Sequence, residues 1–180
     1  MIRWILALAA GIVLGLATHV ATILAIPRLV PDPVAQRLAA LGPAGTFLPL
    51  DAEGARPRLP FLDPAFRYRV CRFDLARGPV RIRAPIGPAY TALTLYGRDG
   101  LPFFSINDRS AIGGLLAAVV AAPGSAMPAA PADSEEAVAV SPTAEGLALV
   151  AAMVPTPSSA EAVETALAGA RCGPASAAAE

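Results

Sequence analysis

Between Arg3 and Arg28 lies a stretch of 23 residues, Trp4 to Ile26, without a single charge. As a helix rising ~1.5 Å per residue it reaches about 34 Å, enough to cross a hydrocarbon core of roughly 30 Å with some tilt. No other feature constrains the chain as much, because whatever follows must live against a membrane. A removable secretory signal has an apolar stretch of about 7–15 residues and a small-x-small cleavage site. Here the stretch is longer, and the nearest small pair, Ala21 and Ala25, is followed by Ile26, Pro27 and Arg28. Residues 1–28 therefore read as an uncleaved transmembrane signal anchor.

Flanking charge barely orients it. Arg3 and the α-amino group stand at one end, Arg28 and Arg37 beyond the other, which is nearly a draw under the positive-inside rule. The cysteines break the tie. Cys71 and Cys172 are the only two and both lie in the soluble part, and an even count beyond an export-type segment fits a disulfide in an oxidising compartment. Closing a loop of about 100 residues contributes ~4–5 kcal/mol in the chain-entropy account. The competing reading, two buried apolar thiols in a cytosolic domain, stays open at this point. The expectation is an N-terminus inside, a bacterial inner-membrane anchor and a C-terminal domain in the periplasm.

Within the span, Ala7, Gly11 and Gly15 form a small-xxx-small row, which lets two helix backbones approach closely in lipid; the row is a candidate helix–helix contact, with chance in an Ala- and Gly-rich chain as its competitor. His19 is the only histidine, and a neutral imidazole near the outer leaflet is its plain reading. All 14 basic residues are arginine, which reads as the codon bias of a GC-rich bacterium before it reads as chemistry. The net charge of zero hides an asymmetry: residues 1–109 hold 13 arginines against seven acids, residues 110–180 one arginine against seven. Nothing is basic enough to argue for nucleic acid.

Beyond the span, Asp32-Pro33 opens and Leu41-Gly42 closes a short stalk helix with Val34, Leu38 and Leu41 on one stripe. The Pro- and Gly-rich stretch to residue 65 then wraps the domain as loop, so 29–65 is stalk and loop. From Phe66 the period changes to two. Phe66, Tyr68 and Val70 alternate with Arg67, Arg69 and Cys71; after a turn within Asp74–Pro79, Val80, Ile82 and Ala84 alternate with Arg81 and Arg83, and the two strands read as a hairpin. Tyr90 to Tyr96 is the clearest strand, and Gly97-Arg98-Asp99-Gly100 turns it into Leu101 to Ile106. Leu115 to Ala121, Ala137 to Val140 and Leu147 to Val154 fit buried strands, and Pro123 to Pro131 is a low-complexity loop. Ser158-Ser159-Ala160-Glu161 is a capping box opening a helix through Arg171, stopped by Gly173-Pro174. The fold class expected is mainly β (α+β): a transmembrane helix, then an antiparallel β-sandwich or barrel-like domain over 66–172 with a C-terminal helix, and a flexible tail over 173–180.

Phe61-Leu62-Asp63-Pro64-Ala65-Phe66, Val70-Cys71-Arg72-Phe73-Asp74-Leu75, Tyr90 to Tyr96 and Ser105-Ile106-Asn107-Asp108-Arg109 together resemble the small, single-span bacterial membrane proteins that carry domain of unknown function 1254. The resemblance runs over nearly the whole chain, from the anchor to a terminal helix ending in Cys172, on motifs of strand and turn more than of chemistry. It implies a β-rich exported domain and no established catalytic residue. Larger relatives join this domain to domain of unknown function 1214, for which 180 residues leave no room.

Beyond the span there is no histidine and anywhere no lysine. That removes the Ser-His-Asp and Cys-His nucleophile pairs, zinc sites built on imidazole and the Walker lysine loop, and no Gly-x-Gly-x-x-Gly follows a strand. The two cysteines are too far apart for a Cys-x-x-Cys redox pair. No cofactor, metal or catalytic residue is expected. An enzyme would have to work with carboxylates, arginine and tyrosine, yet Asp63, Asp74, Asp99 and Asp108 each sit beside a turn signal, where aspartate caps backbone amides.

The polar cluster Asn107-Asp108-Arg109 is the candidate ligand site, since an arginine can clamp a carboxylate or phosphate; an ordinary capped turn is its competitor. Arg67, Arg69, Arg72, Arg81 and Arg83 need an anionic balance, supplied by the acidic C-terminal part, by lipid headgroups or by a soluble anion, and their face is expected to be solvated or paired and not core. The functional expectation is a non-catalytic, membrane-anchored periplasmic domain that binds a partner in the cell envelope. The alternative is a module for a small anionic ligand, or a carboxylate-dependent enzyme.

Overall fold

A computed structural model describes residues 1–29, 42–50, 62–125 and 136–175. The chain divides into two compact units, residues 1–33 and 34–180. In the first, α1 (Ile2–Leu29) is a continuous helix. Trp4, Leu8, Leu16 and Ile23 are among its exposed apolar side chains, and Ile2–Ile26 is long and apolar enough to cross a membrane by length and composition. A signal sequence passes the same test. The stalk helix expected over 33–41 lies outside the described residues.

The second unit is a mainly antiparallel β-sandwich, the expected fold class. Its strands are β1 (Leu48–Pro49), β2 (Phe66–Asp74), β3 (Val80–Pro85), β4 (Thr91–Gly97), β5 (Pro102–Asn107), β6 (Leu115–Ala121), β7 (Ala137–Val140), β8 (Glu145–Met153) and β9 (Arg171–Pro174). One sheet has the order β1-β2-β8-β4-β5 and the other β7-β6-β3-β9. Among the described strands only β6 and β7 run parallel. Between the sheets lie Phe73 from β2, Ile82 from β3, Leu93 and Leu95 from β4, Leu116 and Val120 from β6, and Val150 from β8, all buried. Burial alternates with period two along β3 and β8, as a sheet with one face on a core requires, whereas 91–93 in β4 and 118–121 in β6 are buried on both faces. The helix α2 (Ala160–Ala168) packs against β2, β3 and β8 and feeds Val163 and Leu167 into the same core.

Four local expectations are corrected. First, β2 and β3 are not a hairpin. Both edges of β2 are occupied, by β1 and β8, while β3 lies between β6 and β9 in the other sheet. The linker does this: Asp74 accepts a hydrogen bond from the Ala76 amide, Leu75–Arg77 forms one 3₁₀ turn, and Gly78 takes φ 117°, a conformation that suits glycine. With Leu75 buried and its amide donating to the Ala144 carbonyl, the chain crosses between layers. Second, α2 stops at Ala168, and Cys172 lies on β9 rather than at a helix end. Arg171 donates to the Ala168 and Ala170 carbonyls there, and burial alternates over residues 170–173. Third, Gly173 and Pro174, assigned to the tail, complete β9, and the stretch assigned wholly to loop contributes β1. Fourth, Ser159 precedes α2 without a side-chain cap; the reciprocal box is one element earlier, between Thr156 and Ser159, around the 3₁₀ turn Pro157–Ser159.

The face assignment of β2 is also the reverse of simple polarity. Tyr68 and Val70 point away from the main core, into a smaller cluster with Leu48, Leu50, Leu62, Leu147 and Leu149. The mixed face carrying Arg67, Arg69, Cys71 and Phe73 turns inward, and Cys71 and Phe73 belong to the main core. Gly146 makes that packing possible, since a methyl group there would run into the Phe73 ring and the Tyr96 carbonyl oxygen.

Candidate functional site

The arginines of β2 and β3 meet acids from the C-terminal part of the chain, in two separate places. At one end of the first sheet, Arg67 Nε lies 3.2 Å and Arg69 Nη2 lies 2.6 Å from the Glu164 carboxylate on α2. On the outer face of the second sheet, Arg81 Nε and Arg83 Nη2 lie 3.1 and 2.7 Å from Glu136, whose side chain is only 6 % exposed. The alternation of β7 explains this placement. Ala139 faces the core, so Glu136 and Val138 face out, and Val138 sits opposite Val119, which is itself paired with Arg81. Burial raises the Glu136 pKa, but hydrogen bonds from Arg83 and Arg81, with their charges, outweigh it and hold the carboxyl below its ordinary value of 4.5. Tyr68 moves the other way: burial pushes its hydroxyl above the ordinary 10.0.

The predicted ligand cluster is a tight turn. Asn107 caps the 3₁₀ turn Asp108–Ser110, its side-chain oxygen accepting from the Arg109 amide, while the Ser110 hydroxyl meets both the Asn107 amide and its carbonyl. Asp108 Oδ1 is buried without a hydrogen-bond partner, and Arg109 is exposed. Asp63, Asp74 and Asp99 each accept a backbone amide two residues on. On α1, nothing lies within 4 Å of the position where Gly11 or Gly15 would carry a side chain. Among the described residues no group of three His, Cys, Asp or Glu side chains is placed to hold a metal.

Cys71 and Cys172 are joined, Cα atoms 6.5 Å apart. The bond ties β2 in one sheet to β9, an edge strand of the other, so it crosses the seam between the two sheets. Two clefts lie along this seam. One, of about 410 Å³, is lined by Gly45, Phe73, Asp74, Arg77, Gly173 and Pro174 among others. The second, of about 310 Å³, is lined by Gly45, Thr46, Arg69, Leu167, Arg171 and Cys172 among others. Neither contains Asn107, Asp108 or Arg109. The seam residues come from 44–47, 69–80 and 167–174; sequence reading named Arg69, Asp74, Cys172, Gly173 and Pro174 among them, each for another reason. Arg77 and Gly45 carry no local signal of their own; the tertiary fold brings them all together.

The family model described as "Protein of unknown function (DUF1254)" matches residues 64–174, which is more than half of the chain and includes every strand from β2 to β9. None of the proteins of curated function matches. Among solved structures, the VPA0106 protein of Vibrio parahaemolyticus is similar over 77 % of this chain and 32 % of its own, with 13 % identity and a TM-score of 0.61. An uncharacterised protein from Burkholderia cenocepacia is similar over 82 % of this chain and 39 % of its own, with 16 % identity and a TM-score of 0.53. At these identities the likeness is one of fold. The chain spans about a third of the length of the solved structures it matches. The chain belongs to the DUF1254 family.

Proposed function

We propose that this member of the DUF1254 family is a non-catalytic domain held at the periplasmic side of a bacterial inner membrane, where it binds a partner in the cell envelope. The observation that carries the reading is α1: 25 residues long enough and apolar enough to span, with its large side chains exposed, ahead of a sandwich closed by a disulfide. A bond of that kind persists in an oxidising compartment, which supports export of the C-terminal unit. The small side chains of Ala7, Gly11 and Gly15 on one row of α1 would let a second helix approach closely within the bilayer. The aspartates spent on backbone amides, and the arginine–glutamate pairs that balance charge internally, support binding over catalysis.

Two measurements test the reading. An export-dependent reporter fused after Glu180 is active, and its cytosolic counterpart is dark; the reverse pattern inverts the orientation. Mild-detergent extraction and affinity capture of the full chain recovers the same envelope protein in repeated preparations, and a clean monomer counts against the partner.

A further inference from the structure

We propose that the seam between the two sheets is a strand-addition site: an extended, acidic segment of a second protein pairs with the free edge of β9 and lies along the two clefts. This names the chemistry of the partner contact and rests on the partner-binding reading above.

The backbone comes first. Among the described residues β9 pairs with β3 alone and is an edge of its sheet. The Ala175 amide donates to the Pro79 carbonyl, and hydrogen-bonded pairs alternate along an antiparallel ladder. Gly173 opposite Arg81 and Arg171 opposite Arg83 therefore also bond to β3. The amide and carbonyl of Cys172, and the carbonyl of Pro174, then point away from β3 toward the seam. An edge with outward-pointing amide and carbonyl groups is the template that a peptide strand extends, its main chain supplying affinity and flanking pockets supplying selection.

Room comes second. Clefts of about 410 and 310 Å³ lie along this edge, and Gly45 lines both. A side chain at Gly45, Gly78 or Gly173 would meet nothing within 4 Å, so the furrow is open on the side where a backbone must approach. Phe73, Pro79 and Val80 give it an apolar floor at one end and Leu167 at the other.

Charge selects the occupant. Arg77 lines the first cleft and Arg69 and Arg171 the second; among the described lining residues Asp74, in the first cleft, is the one acid. Asp74 already accepts the Ala76 amide, and Arg69 is engaged by Glu164. Arg77 and Arg171 are exposed, one lining each cleft, and although Arg171 donates to the Ala168 and Ala170 carbonyls those neutral acceptors leave its charge unbalanced, so each cleft offers a cation to a carboxylate of an extended chain.

The test uses the full chain in detergent micelles and fluorescent octapeptides of alternating acidic and apolar residues, (Glu-Val)₄, read by anisotropy. The acidic peptide binds saturably. (Lys-Val)₄, and an acidic peptide with every second amide N-methylated, bind at least ~10-fold more weakly. Equal binding of the methylated peptide would mean charge attraction without a ladder, and it overturns the proposal. So does the absence of saturable binding by the acidic peptide. Gly173→Leu fills the furrow and abolishes binding with an unchanged melting temperature. Should that variant melt early, the double charge reversal Arg77→Glu with Arg171→Glu carries the same expectation, and wild-type affinity in a folded double variant overturns the site. If Gly173→Leu still captures the envelope partner, the seam falls and the partner reading stands. If no partner is captured by the wild-type chain while (Glu-Val)₄ binds, the outcome is the converse.

Discussion

Replacing both cysteines, Cys71→Ala with Cys172→Ala, removes the cross-link between β2 and β9 and lets the unfolded chain relax. The two positions are 101 residues apart, and a ring of that size restricts the denatured ensemble by about 4.7 kcal/mol in the chain-entropy account. Measured effects fall below that figure when the unfolded chain keeps structure, so a loss of about 3–5 kcal/mol is expected. Both residues are buried, and the alanine pair also leaves unfilled space, whereas chemical reduction of the wild type keeps the sulfurs in place. Comparing the two separates cross-link from packing. A ~150-residue unit shifts by roughly 2–4 °C per kcal/mol, so reductant lowers the wild-type melting temperature by about 6–20 °C. The double-alanine variant melts at or slightly below the reduced wild type and ignores reductant. The assay is thermal unfolding followed by circular dichroism, with thiol content checked by mass. Two results refute the reasoning: a verified reduction that leaves the melting temperature unmoved, or thiols in the native protein that alkylate without prior reduction.

Glu136→Gln leaves Arg81 and Arg83 side by side without their shared carboxylate and is expected to cost about 2–3 kcal/mol by denaturant unfolding, below the 3–5 of a fully buried pair because both arginines keep some water. The cost depends on pH in a stated direction: the folded carboxyl ionises more readily than the unfolded one, so its contribution is complete above the ordinary value of 4.5 and vanishes as pH falls through the lowered one. The gap between wild type and Glu136→Gln therefore narrows as pH falls below the ordinary value of 4.5, and a gap that stays constant on acidification of the folded protein contradicts the assignment. Gly146→Ala forces a methyl group against Phe73 and the Tyr96 carbonyl and lowers stability by about 1–3 kcal/mol; an unchanged denaturation midpoint shows the packing to be looser than described. Arg67→Ser with Arg69→Ser removes the inward-facing pair from Glu164, whose side chain is 36 % exposed against 13 % for Arg69, and costs about 1–2 kcal/mol after allowance for solvent screening. Glu164→Gln then adds little in the double variant, and full additivity speaks against a shared cluster.

Local pattern determined much of this protein. A span needs only a run of apolar residues, and Trp4 to Ile26 is one. A strand between a core and another surface needs only alternation, and the runs at 66–73, 80–84, 90–96, 101–106, 115–121, 137–140 and 147–154 coincide with β2 to β8 to within a few residues. The turn at Gly97–Gly100 and the capped turn at Asn107 are equally local, since each closes hydrogen bonds over two or three residues.

Tertiary structure decided which strands meet. Alternation says that a strand has two faces, not which face the other sheet will cover, so the apolar row of Tyr68 and Val70 went to a minor cluster and the row with Arg67 and Arg69 turned inward toward α2. Nor could periodicity separate a hairpin from a crossing between layers, because that choice rests on the φ of Gly78 and on β1 and β8 claiming the edges of β2. The short strand β9 was invisible for a similar reason. Four residues after a helix carry almost no pattern, and it is pairing with β3 and the bond to Cys71 that make them a strand. The candidate furrow depends on that same pairing. Its arginines and glycines are unremarkable where they stand in the chain and form a surface only when segments up to about 130 residues apart are laid side by side, because contact between distant segments is set by the burial of the whole core and not by the preference of any one of them.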